Sequence, residues 1–440
     1  MFRPTALLTL ALVACNPEPV DTDTPVTNEC GDDFCVLSGT ITESMTLTAD
    51  KAWLLRGGVF IGDDVSETVL TIEPGTTVYG ESSTDGMLVV RRHSRIVAEG
   101  TADAPIVFTS SKAEGSRARG DWGGLILNGT APINSCADGA DDCEAFGEGG
   151  TGWYGGNDPD SDSGVLKYVR VEFAGTLISP DNELNGIAFQ GVGRNTLVDY
   201  VQVHMNADDG IEFFGGTAEA KHLVVTGVGD DSLDWTDGWR GKVQFAVLQQ
   251  YDDASGDNGI EADNNADDNN ASPRSFPTLS NLTVIGSPSS DASDYGMLLR
   301  EGTAAHIANA LVVGFNDACL DIDHVATFDR IGASTEDLVL ENLHFDCATS
   351  FEKNDEDLDG DSVNDPDPMD IEADFFALGA GNVLGDDGGL GAPFDLRNPD
   401  FTSTATGAVV PSDAFFESVD HIGAVGTTDW TAGWTTSAVN

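Results

Sequence analysis

A six-residue phrase returns through the middle of this chain at nearly constant spacing, and it restricts the fold more than any other feature. Leu184-Asn185-Gly186-Ile187-Ala188-Phe189 is followed by Asp208-Asp209-Gly210-Ile211-Glu212-Phe213 and by Asp230-Asp231-Ser232-Leu233-Asp234-Trp235. The offsets are 208 − 184 = 24 and 230 − 208 = 22 residues. Looser copies begin at Asp257, Asp294 and Asp317. A self-similar unit of this length marks a solenoid, in which each coil buries its apolar side only against its neighbours.

A second strand keeps its place inside each unit. Segments 198–203, 221–226 and 243–248 are apolar and β-branched, with starts 221 − 198 = 23 and 243 − 221 = 22 residues apart. Segments 280–285, 308–313 and 340–345 continue the row after longer intervals. Two short strands per unit, punctuated by Gly, Asp and Asn turns, leave no room for a helix in the coil. The Leu/Asn consensus of leucine-rich repeats is missing. Parallel strands stacked about 4.8 Å apart are the remaining solution, and the crossover rule gives the hand. The expected fold is all-β, a right-handed single-stranded parallel β-helix.

The earlier coils agree. LTIEPGTTVYG (70–80) reads as strand, Pro-Gly turn and strand, and LVVRRHSRIVAEGTADAPIVFTSS (88–111) supplies the next ones. With WGGLILNGTAPIN (122–134) and GGTGWYGGNDP (149–159), this stretch resembles a family of bacterial surface lipoproteins built on a pectin-lyase-like β-helix. The resemblance spans roughly residues 50 to 440 and implies the fold. It brings no catalytic residues that could be carried over.

The chain opens Met1-Phe2-Arg3, continues through an apolar stretch, and reaches Leu12-Val13-Ala14-Cys15. A basic start, a short apolar run and small residues before a cysteine form a secretory signal. The ending resembles a lipoprotein-processing site that leaves Cys15 acylated. The apolar run is too short to span a bilayer, and no other membrane-spanning candidate occurs. The expected localisation is an exported protein anchored to a bacterial outer membrane or cell surface through Cys15. The expected organisation is a signal peptide at 1–14, an acidic tether at 15–48, the β-helix at 49–375 and an irregular C-terminal cap at 376–440. Loop excursions are expected at 136–163, 252–278 and 353–368.

Of seven cysteines, Cys15 is assigned to the lipid. The remaining six fall into close pairs: Cys30 with Cys35, Cys136 with Cys143, and Cys319 with Cys347. Three local disulfides in an oxidising compartment are expected. A net charge of −55, from 75 acidic against 20 basic residues, excludes nucleic acid as a partner. Such a charge destabilises a compact state unless cations or salt offset it.

Two acidic constellations carry the candidate chemistry. Asp355, Asp357, Asp359, Asp361 and Asp365, with Gly360 permitting a turn, alternate hard oxygen ligands as calcium prefers. The position where an EF-hand needs Glu is Pro366, so the segment looks more like the Asp-rich loops of thrombospondin type 3 repeats. The second constellation follows from stacking. If Asp208 and Asp230 are equivalent, so are Asp209 and Asp231, and Glu212 and Asp234, with Asp257, Asn258 and Glu261 extending each row. Like charges so close need a cation or a shared proton.

Three readings of these rows compete. The first is structural: Asx residues close the turn before each strand and bond backbone N–H groups, with Ca²⁺ as a companion. A second is a polysaccharide hydrolase using Asp208, Asp209, Asp230, Asp231 and Asp234, since carboxyls about 5–9.5 Å apart serve glycoside hydrolysis. In that reading Arg240 and Lys242 clamp a substrate carboxylate. A third is a calcium-dependent lyase, with Arg240, Lys242 or Arg300 removing a proton. His204 reads as a surface side chain of its strand. Trp235 and Trp239 are candidates for stacking on sugar rings, as well as for packing. Their D-W-T-x-G-W pattern recurs at 429–434, where it is expected to cover the last coil. The leading expectation is a calcium-binding, non-catalytic surface scaffold for a glycan or another surface.

Overall fold

The computed structural model describes residues 29–31, 34–136, 143–179, 182–253, 255–352 and 371–440. Its body is a right-handed parallel β-helix. One row of short strands contains Met87–Val90, Gly124–Asn128, Ile187–Gln190, Ile211–Phe214, Leu233–Thr236, Ile260–Ala262, Met297–Leu299 and Asp321–Ile322, each paired in parallel with the next. All six copies of the repeated phrase therefore stack on one face.

The second strand of each coil is longer than the sequence suggested. Leu197–His204, Glu219–Thr226, Lys242–Gln249, Thr278–Ile285 and Ala305–Val313 pair in full register on both sides of a sharp bend. At the bend stand Tyr200, His222, Phe245, Asn281 and Asn309, with φ of 57°, 51°, 65°, 57° and 58°. Each strand thus contributes to two sheets, so the coil is three-sided. The left-handed bend costs energy for residues with a Cβ, and stacking offsets it. Tyr168 lies 4.4 Å from Tyr200, Tyr200 4.2 Å from His222 and His222 5.0 Å from Phe245, all face to face. Further along, amides take over, with Gln244 Nε2 donating to Asn281 Oδ1 and Asn342 Nδ2 to Asn309 Oδ1.

Alternate residues of the short strands point into the coil. Ile187, Ile211, Leu233, Ile260 and Met297 form one buried row, and Phe189, Phe213 and Trp235 another. Burying each such side chain contributes about 1.5–3 kcal/mol. The repeated glycine has its own reason. A Cβ on Gly210 would sit 2.4 Å from Val225 Cγ1 and 2.6 Å from Ser232 O, because adjacent coils approach closely at that turn.

All three expected disulfides are formed. The expected tether is partly coil already: Phe34–Ile41 pairs in parallel with Ala52–Ile61, and Cys35 lies in the core. The last coil is covered by the helix Ile371–Leu378, whose Phe376 ring lies 4.4 Å from Phe345. Trp430 and Trp434 do not cover that coil, contrary to expectation. Trp434 packs edge-on against Tyr168 and Tyr200, and Trp430 against Tyr200 and His222. The segment beyond residue 390 runs back along the side of the solenoid, over the bend. Among the described residues, no helix is long and apolar enough to cross a membrane.

Candidate metal centre

Outward-facing positions of the short strands, and the turns before them, build the acidic face. Strand register pairs Ala188 with Glu212, Glu212 with Asp234 and Asp234 with Glu261. At the turn, Asp209 Oδ1 accepts the Asp231 N–H at 3.0 Å and Asp231 Oδ1 accepts the Asn258 N–H at 2.7 Å. Asn258 Oδ1 in turn accepts the Tyr295 N–H at 3.3 Å. One residue earlier, Asp208, Asp230, Asp257 and Asp294 form the outer edge, partly open to solvent. Period-two alternation sends Glu212 outward while Ile211 and Phe213 face the core.

Three sets of carboxylate oxygens converge, each within 4.8 Å: Asp208, Asp209 and Asp230; Asp209, Asp231 and Asp234; and Asp230, Asp231 and Asp257. Asp209, Asp230 and Asp231 each belong to two sets. Burial pushes Asp209, Glu212, Asp231 and Asp234 well above the usual carboxylate range, and their acidic neighbours push further. Burial first, then Asp230, Glu183 and Glu148, raises Asp208 to about 7. Glu261 is also raised to about 7, against the opposing pull of Arg300.

Arg300 is the cation that faces these rows. It ion-pairs with Glu261 and with Asp263, the latter at 3.0 Å. One Asp234 oxygen, Oδ1, is buried without a hydrogen-bond partner, in a residue only 9% exposed. An unpaired carboxylate oxygen beside Asp209 and Asp231 is costly unless something positive reaches it. All-oxygen donors in overlapping sets suit a hard divalent ion such as Ca²⁺. A hairpin of Glu144–Gly147 and Gly152–Gly155 overhangs the end of these strands, where Tyr154 Oη donates to Asp237 Oδ2 at 3.1 Å.

Asp208, Asp209, Asp230, Asp231 and Asp234 thus come together as stacking required. The other candidates do not join them. Arg240 pairs with Glu336 at 2.7 Å and lies over Phe276, while Lys242 pairs with Glu219 at 2.8 Å and Asp413 at 2.9 Å. Both stand at the start of the long strand, and neither pairs with the acidic rows. Trp235 and Trp239 are 0% exposed, so neither has a face to offer a sugar. Trp235 occupies an inward strand position, and Trp239 stacks on Phe213 at 4.1 Å while its indole N–H donates to Ala218 O.

His204 is fully buried too, not at the surface. Its Nε2 donates to Ala438 O at 2.8 Å and its Nδ1 accepts from Thr226 at 2.7 Å. Burial lowers it to about 4, so it is neutral. Alternation placed His204 on the outside of the coil correctly; the returning C-terminal segment covers it. Asp263 was missed because it follows the repeated phrase and has no counterpart in the earlier coils. Cys15 and the loop with Asp355, Asp357, Asp359, Asp361 and Asp365 lie outside the described residues.

The family model of the pectate-lyase-like beta helix domain matches residues 39–435. No curated protein and no solved structure matches the chain.

Proposed function

Since the chain belongs to the pectate-lyase-like β-helix family, we propose that it is an exported, lipid-anchored surface protein whose acidic rows hold calcium and present it to an anionic glycan or another surface. The observation that carries this reading is the sharing of Asp209, Asp230 and Asp231 between converging carboxylate sets, with Asp234 Oδ1 left unpaired among them. Bound ions would supply positive charge on a face that otherwise repels polyanions. Asp209, Asp230, Asp231 and Asp234 would hold the inner ion, and Asp208 and Asp257 would complete the outer edge. The net charge of −55 supports the need for such ions. The Asp-rich loop around Asp355 is a second calcium candidate with a structural role.

A non-catalytic role is supported by what the bases are doing. Arg300 is held protonated by Asp263 and Glu261, which raise it further above its ordinary range. It cannot take a proton from a sugar carbon. Arg240 and Lys242 are paired elsewhere. Asp209 and Asp231 spend an oxygen each on the next coil's backbone.

One observation favours hydrolysis instead. Asp208, partly open to solvent and raised to about 7, sits beside Asp230 as a proton-holding carboxyl next to a second acid. Incubating the soluble protein with uronate-containing and neutral polysaccharides, with and without Ca²⁺, decides between the two. Calcium-dependent retention of a polyanion without new reducing ends or unsaturated products is the expected result. Products that vanish in Asp208→Asn would establish the hydrolase.

A further inference from the structure

The C-terminal segment is held to the solenoid in an unusual way, by side-chain amides that imitate a neighbouring strand. Gln202 Nε2 donates to Thr436 O and its Oε1 accepts the Thr436 N–H, both at 2.8 Å. Gln244 does the same to Glu417, at 3.0 and 2.8 Å, and Asn309 to Val409, at 2.7 and 2.9 Å. Asn281 and Asn342 donate to His421 O and Gly407 O. The amide-bearing residues belong to five of six successive coils, from Leu197–His204 through to Leu338–Glu341 and the adjoining turn, with Glu219–Thr226 the coil that supplies none, and they bond the segment's backbone. This is peptide recognition by main-chain pairing, built into the flank of the β-helix.

The seat is packed in part, where Ile422, Ala424 and Val425 join Val247, Ile285 and Leu311, and open elsewhere. Cavities of about 360 and 570 Å³ lie along this boundary, each lined by both partners: Gln202, Gln249 and Thr436 in the first, Lys221 and Phe415 in the second. Gln249 Oε1 is buried there without a partner, in a residue 1% exposed. Voids and unpaired acceptors lower the free energy needed to open a segment locally.

We propose that residues 401–438 are an exchangeable strap, and that the flank takes the same segment from a second copy of this chain. Every contact made within one molecule is available between two, so the closed and exchanged forms differ mainly in effective concentration. Copies confined to a surface would meet at high local concentration and join side by side, leaving the acidic face free.

Full-length protein carrying a donor dye at Asn440→Cys is mixed with full-length protein carrying an acceptor at Leu197→Cys. Residues 197 and 204 are seven positions apart on one bent strand, at most about 23 Å at about 3.3 Å per residue, so a transferred strap brings the dyes within range. Energy transfer that grows over hours, and several-fold faster in Gln244→Ala, is the expected result. Energy transfer that stays at zero for days while circular dichroism reports a folded protein, in wild type and variant alike, would overturn the proposal. So would a signal that Gln244→Ala leaves unchanged, because that is association by another surface.

Discussion

The bend of the long strands and the turn before the short strands obey the same rule with opposite consequences. In both, the solenoid repeats one position at one strand spacing, so whatever residue stands there meets its own kind. At the bend this gives the Tyr168–Tyr200–His222–Phe245 stack and the Asn281–Asn309–Asn342 amides, linked through Ser280 and by Asn342 Nδ2 donating to Asn309 Oδ1, which interact favourably. At the turn it gives Asp208–Asp230–Asp257 and Asp209–Asp231, which repel one another and leave Asp234 Oδ1 unpaired. Repetition multiplies stability on one flank and electrostatic cost on the other. In the function proposed above, cation binding removes that cost.

That contrast can be broken from either side. The largest effect is expected in the core that separates the two flanks. Trp239→Ala should destabilise by about 3–5 kcal/mol, read by denaturant unfolding. If it left stability intact and weakened glycan retention, the indole would be a ligand contact after all. Next comes the acidic flank. Asp208 and Glu261, raised to about 7, hold protons in the folded state that the unfolded chain releases near pH 4. Their effect on stability is therefore least harmful below pH 4 and grows as pH rises through about 7.

Chelation should accordingly lower the melting temperature by roughly 5 °C at pH 8 and hardly at all near pH 4.5. An equal fall at both pH values would point to a calcium site away from these raised carboxyls. On the satisfied flank, Asn309→Leu removes both partners of Val409 and should cost about 1–3 kcal/mol, with no dependence on calcium or pH. The smallest effect is also the most diagnostic. Asp231→Asn keeps the bond to the Asn258 backbone but removes a charge, so it should stabilise the chelated protein at pH 8 by about 1 kcal/mol and blunt its response to Ca²⁺. Thermal melts in chelator and in calcium read both signs.

The sequence carried more of the acidic flank than of the other. Similar phrases repeated at 22 to 27 residues imply equivalence, so Asp208 with Asp230, and Glu212 with Asp234 and Glu261, were readable without coordinates. The bend was not, because an apolar run such as 243–248 carries no mark of a left-handed residue at Phe245. The strap was illegible for a different reason. Its partners are single amides in strands that otherwise look apolar, and its own residues form no periodic pattern. The strap buries His204, whereas Trp235 and Trp239 are buried inside the coil itself. Arg240 and Lys242 were drawn to the site by nearness in sequence, whereas one coil corner separates them from it in space.

The most direct measurement is a diffraction experiment on crystals grown with Ca²⁺ near pH 8. An ion within about 2.3–2.6 Å of oxygens from Asp209, Asp231 and Asp234 is the expected result, with further density toward Asp230 and Asp257. Carboxylates resolved in that position with no ion among them, while calcium is found elsewhere on the same molecule, would contradict it.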